Sequence, residues 1–247
     1  MDWPKAKNIL ILALLLTNIF LIWTLFSFTP FEAEEEDQFL IEETIHVLAQ
    51  NQILMEAEIP IQKKQASVLS IIYDDHIGTF VYPAVPLPEG VFLTTNEAEK
   101  IATDFLKDQN LFPSSCILMK SERNVTDLTS FTITFGSFID GIQIENCYAI
   151  CTVSGEGVSK LERFWLNPDS YGKNEKTIIP ATTALLKFMI SKPNLKEPLT
   201  ITEVSLVYRV ESTYTDLSQT TSDTAFPYWR IKCSDESITF ISAFEQQ

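Results

Sequence analysis

The chain has 247 residues, 45% of them hydrophobic and 17 of them Phe, which is enough to bury a sizeable core and too apolar for a disordered chain. Its formal charge of −15 repels phosphate backbones and anionic headgroups, which excludes nucleic acid as a partner. Seven Gly and two His leave little material for phosphate-cradling loops or imidazole chemistry.

Residues 8–28 are an uncharged run of 21, which as a helix spans about 31 Å, the thickness of a bilayer's hydrocarbon core. Lys5 and Lys7 precede the run; Glu32, Glu34, Glu35, Glu36 and Asp37 follow it. By the positive-inside rule, residues 1–7 form a cytoplasmic tail and everything after residue 28 lies outside. A signal peptide has a shorter apolar region, about 7–15 residues, and a small-residue cleavage site where this chain has Phe26, Phe28 and Phe31. The expected localisation is the cell membrane, single-pass, with a retained anchor in the lipid bilayer and an extracytoplasmic C-terminal domain. Thr17, Asn18 and Thr24 interrupt the run. An Asn amide in lipid bonds either another helix, worth about 1 kcal/mol, or a local backbone carbonyl. Thr17, Asn18 and Phe20 are the candidate partner-binding residues.

Next, residues 34–52 carry the helical stripe Ile41, Ile45 and Leu48, widened by Leu40, Thr44 and Val47, with His46 beside it. After a mixed segment broken by Pro60 come strands at 68–73 and 79–82. The link between these strands, Asp74, Asp75, His76 and Gly78, reads as turn chemistry in preference to a metal site. Residues 83–90 hold three prolines and form a rigid connection. A helix capped by Thr95 or Asn96 follows, with the stripe Ala98, Ile101, Ala102, Phe105 and Leu106. Alternating strands then occupy 116–122, 130–138, 142–154 and 158–166, with a hairpin turn at Asp140-Gly141. Residues 167–176 read as a polar break, 181–191 as a third helix, and 200–212, 227–233 and 238–244 as the closing strands, with a polar loop at 216–224.

The expected fold class is α+β: an N-terminal transmembrane helix, then extracytoplasmic helix-plus-antiparallel-meander subdomains at 29–172 and 173–247. Cys116, Cys147, Cys151 and Cys233 allow three disulfide pairings. Cys147 and Cys151 sit about 13 Å apart on one strand, too far to bridge each other, and buried free thiols are expected of the set.

Chemistry-bearing motifs are scarce. There is no GxSxG, HExxH, Walker loop or GxGxxG, and the SxxK at Ser170 and Lys173 lies in a polar loop without its companion motifs. Glu42-Glu43 and Asp74-Asp75 are adjacent carboxylates with no sign of a shared cleft, and Asn124-Val125-Thr126 fits a glycosylation triplet. No catalytic, cofactor-binding or metal-ligating residue is assigned. Tyr228, Trp229 and Arg230 are interface residue types. On an alternating strand Tyr228 and Arg230 share one face, while Trp229 faces the core.

Met1-Asp2-Trp3, Lys5 and Lys7, then Asn18-Ile19-Phe20-Leu21, Asn51-Gln52-Ile53 and Glu58-Ile59-Pro60 occur in the order seen at the start of the YycI (WalI) family, which the chain resembles. Pro227-Tyr228-Trp229-Arg230-Ile231 and Ala243-Phe244 are similar to that family's closing strands. The resemblance implies an accessory regulator acting with a YycH-type companion on a sensor histidine kinase of the YycG (WalK) type, which governs cell-wall metabolism. It also implies kinase contact through the N-terminal helix. An exported ligand- or peptide-binding module with a passive anchor is the alternative.

Overall fold

The computed structural model describes residues 7, 11, 13–21, 31–61, 65–83, 93–125, 127, 129–193, 195, 197–211 and 222–245, with the backbone alone for 31–37. Strand β1 (Ile53–Met55) lies parallel beside Leu199–Ile201, and β2 (Gln65–Ala66) pairs with β10 (Lys176–Thr177). The first half is built on a meander of β5 (Cys116–Arg123), β6 (Ser130–Ile139), β7 (Ile142–Ser154) and β8 (Gly157–Phe164), each antiparallel to the next. Asp140 and Gly141 join β6 to β7 at φ of 49° and 80°. The Asp-Gly pair supplies the left-handed conformation that a tight hairpin of this twist requires. On β7 the inward residues Ile144, Cys147, Ala149, Cys151 and Val153 are buried. A bulge at Asn146, φ 56°, absorbs the break in their alternation.

Helix α2 (Thr95–Asp108) covers this inner face, burying Ala98, Ala102 and Leu106 in one core with Phe131, Ile133 and Phe135. Its cap is Thr94, one residue ahead of the expected position. The Thr94 hydroxyl accepts from the Glu97 amide, and the Glu97 carboxylate accepts from the Thr94 amide at 2.9 Å, a reciprocal capping box.

The second half repeats the scheme with β11 (Leu199–Val210), β12 (Ser222–Cys233) and β13 (Ile238–Ser242) under α3 (Ala181–Ser191). Ala184, Leu185 and Phe188 pack there on Val204, Leu206, Trp229 and Ile231, and α1 (Phe31–Gln50) adds Leu48. Trp229 is fully buried, and its indole N–H donates to the Ile179 carbonyl at 2.9 Å.

The fold class differs from expectation. The molecule is mostly sheet, 48% strand against 25% helix, and 11 strands from both halves form one sheet. The halves fuse because β11 runs parallel to β7 through Val207↔Gln143 and Tyr208↔Ile144. Fusion continues on the far side of β12, where Ser222–Ala225 pairs with β3 (Leu69–Tyr73) and β3 pairs with β9 (Leu166–Tyr171). Two stretches expected as loops, 167–176 and 216–224, thus supply strand residues. Only Trp165 separates β8 from β9. The path β8-β7-β11-β12-β3-β9 therefore closes on itself, because β8 and β9 are one continuous bent strand, giving a ring of five strands around side chains including Leu69, Ile71, Trp165, Leu166, Tyr208 and Ala225.

The expected transmembrane helix over 8–28, and the single-pass localisation built on it, are not supported. Among the described residues no helix is long and apolar enough to cross a membrane. Of the 8–28 run, residues 11 and 13–21 are helical, and the rest lies outside the described residues. Helix α1 is long enough, but its sequence FEAEEEDQFLIEETIHVLAQ carries too many acids.

Replacing Trp229 with Phe removes the donor to Ile179 and leaves a void in the second core. The expected loss is about 2 kcal/mol of unfolding free energy, read from the urea midpoint.

Candidate functional site

Two polar constellations stand out, one buried and one on the open face of the sheet. The buried one sits where the ring closes. Arg163 lies on β8 with the inward parity of Leu161 and is 2% exposed. Its Nη1 and Nη2 donate to the two Asp74 oxygens at 2.7 and 3.2 Å, and Nη1 also donates to the His76 carbonyl at 3.0 Å. Asp74 further accepts from the His76 amide at 2.8 Å and the Asn167 side chain at 3.2 Å. Burial pushes the Asp74 carboxyl up. Arg163, the His76 amide and Asn167 together outweigh it and hold the pKa at about 2.

Beside this pair, the Asp74 amide donates to the Trp165 carbonyl at 3.1 Å, and the Arg163 guanidinium lies 5.2 Å from the Trp165 ring centre. Cys147 Sγ accepts from the Leu166 amide at 3.1 Å. The Asp-Asp-His turn is therefore half of a structural clamp, and its first carboxylate is fully engaged by protein donors.

The open constellation lies on the sheet face away from the helices. Arg209 of β11 reaches over β12, its guanidinium 5.7 Å from the Tyr228 ring centre and 4.4 Å from that of Phe240 on β13. Arg230 of β12 reaches the opposite way, with Nη1 3.1 Å from Glu203 and 3.5 Å from Gln143 on β7, and Nε 3.7 Å from Glu145. The two arginines pass each other lying flat on the sheet. Burial pushes the Glu145 carboxyl up, and Arg230 and Arg209 pull against it without cancelling the rise. Tyr228 donates to Glu211; burial first, and that carboxylate second, raise its phenol to about 12. This array holds two guanidiniums and two aromatic rings rigidly at a half-buried surface, an arrangement suited to gripping a protein surface.

The remaining sequence candidates disperse. Thr17, Asn18 and Phe20 are helical and exposed, and the Thr17 hydroxyl donates to the Ala13 carbonyl at 2.8 Å. Ser170 donates to Asp169 on β9 and pairs with Ser70 in the ladder. The Asn124 amide is occupied internally, donating to Ser130 at 2.7 Å and accepting from Thr132 at 2.6 Å. All four cysteines are free and buried. Burial pushes the thiols of Cys116, Cys147 and Cys151 up to about 12, far from the reactive thiolate range. Arg163 and Glu145 were not singled out from sequence. Parity was the available signal for Arg163, since it shares a strand face with Leu161.

Neither a known protein family nor a curated protein matches the chain. Among solved structures, it is similar to an uncharacterized protein from Eubacterium rectale ATCC 33656, with 13% identity and a TM-score of 0.43. The match covers 65% of this chain and 56% of that one, so the chain spans just over half of that protein's length.

The clamp gives a stability profile of known sign. Because the Asp74 carboxyl is depressed in the fold, its contribution is complete above its unfolded value, about 4, and is lost as pH falls toward 2. Asp74→Asn leaves a buried guanidinium without its charge partner and should cost about 3 kcal/mol at pH 7. Urea midpoints measured between pH 7 and pH 2.5 should fall for the native chain and vary less for Asp74→Asn.

Proposed function

We propose that the chain is a non-catalytic accessory regulator that adjusts a sensor histidine kinase of the YycG (WalK) type, acting with a YycH-type companion, as its resemblance to the YycI (WalI) family implies. One observation carries this reading. The segment from Pro227 to Ile231, which carries the C-terminal resemblance, alternates between two jobs on one strand. Trp229 and Ile231 anchor the second core, while Tyr228 and Arg230 furnish the open-face array. A strand that fixes its recognition side chains through the same backbone that builds the core keeps them rigid, which lowers the entropy lost on binding. In this reading the array grips a protein partner, and the exposed helical Thr17, Asn18 and Phe20 contact a helix of the kinase.

Co-purification of the full chain with co-expressed kinase and companion tests this. Asn18→Leu removes an interhelical hydrogen bond worth about 1 kcal/mol, so kinase recovery should fall about fivefold at matched expression. Tyr228→Ala should reduce recovery of the companion with the Trp emission spectrum unchanged. Recovery unaffected by either substitution, or absence of both partners after crosslinking of the native chain, would sink the proposal.

A further inference from the structure

Strand β5 is an edge. Among the described residues it pairs with β6 alone. It is eight residues long, against four for the edge strand β4 (Gly78–Val81) and five for β13. Open edges are templates for another strand, and folds blunt them with shortness, proline or charge. β4 and β13 are short, and β9 carries Pro168. β5 is neither short nor proline-bearing; its protections are Lys120, Glu122 and Arg123 and a bulge between Leu118 and Lys120. It exposes Ile117, Leu118 and Met119 in succession at 48%, 39% and 44%, and Val125 just beyond its end at 92%.

The charges on this edge complement themselves. Lys120 and Glu122 point to the same face, 2.8 Å apart, and are well exposed. The backbone N–H of Asn124 donates to the Ser130 carbonyl, so by alternation residues 122 and 120 also direct their backbone groups at β6. Ser121 therefore directs its N–H and C=O away from β6, where no described residue pairs with them. A second β5 laid antiparallel about a two-fold axis at Ser121 makes Ser121 face its own copy as a hydrogen-bonded pair. That register sets Lys120 opposite Glu122 twice, in the closer, non-hydrogen-bonded pairs. Moving the axis by one residue to Lys120 would set lysine against lysine.

We infer that β5 is the seam of a symmetric dimer of this chain, formed by antiparallel strand addition centred on Ser121. The contact is isologous, so it closes at two copies and does not propagate. It is independent of the kinase reading and uses no residue of the open-face array.

Light scattering on the full chain, over about 1–200 μM, reads the stoichiometry directly, and a mass of two chains at the upper end is expected. Lys120→Glu places like charges opposite each other twice and should weaken the dimer at least tenfold. Adding Glu122→Lys to it restores both cross-axis pairs and should restore the dimer. Ser121→Pro removes a donor that faces away from β6, so it should give a monomer with unchanged near-ultraviolet dichroism. A native chain that stays monomeric throughout overturns the inference and leaves Lys120 as a guard against edge pairing. So does a dimer indifferent to both Lys120→Glu and Ser121→Pro.

Discussion

The fold depends on one buried ion pair at a bend. The strand from Gly157 to Tyr171 changes partners at Trp165, leaving β7 and joining β3. A strand that changes partners at such a corner strands its backbone groups and splits its side chains between two directions. Asp74 meets both demands. Its amide takes the Trp165 carbonyl, and its carboxylate holds Arg163 before the bend and Asn167 after it. A lone guanidinium inside this core would be prohibitive, and a lone carboxylate nearly so. The pair is tolerable because the donors around each oxygen replace most of what water supplied.

Much of the local structure was legible. The stripe from Ala98 to Leu106 defined its helix, the Asp-Gly pair its hairpin, and alternation placed Trp229 inward with Tyr228 and Arg230 outward. What escaped was pairing at a distance. Asn167-Pro168-Asp169-Ser170 is polar and proline-bearing, and it becomes a strand because Pro is tolerated where its missing N–H faces no neighbour. Ser222-Asp223-Thr224 lacks any apolar alternation and is a strand because β3 lies beside it. The parallel contact between β7 and β11 spans two residue pairs and has no local signature. Asp74 was legible as turn chemistry, and the His76 amide does cap it, but its partner lies 89 residues away.

The open-face array follows the same logic at lower cost. Half-buried arginines on a sheet need carboxylates, and Glu203 and Glu145 supply them for Arg230. Arg209 has the rings of Tyr228 and Phe240 beneath it. Because the long side chains lie along the sheet, their stems cover strand surface while carboxylates and rings hold their heads in place. In a chain with a net charge of −15, such anchored cations are local exceptions to the prevailing field.

Closure of the ring also sets an order of assembly. Ile72 has Asn167 on one side and Ser222 on the other, so β3 leaves the ribosome long before either neighbour exists. The β5–β8 meander and its helix can form from adjacent segments as they emerge, with little loop entropy to overcome. β3 must wait unpaired until β9 follows the meander, and then with one edge still open, until residues 222–225 are made. At about 5–20 residues per second that exposure lasts many seconds during synthesis. The interval before residues 222–225 arrive is when this protein is most exposed to mispairing, and the last strands act as the latch that ends it.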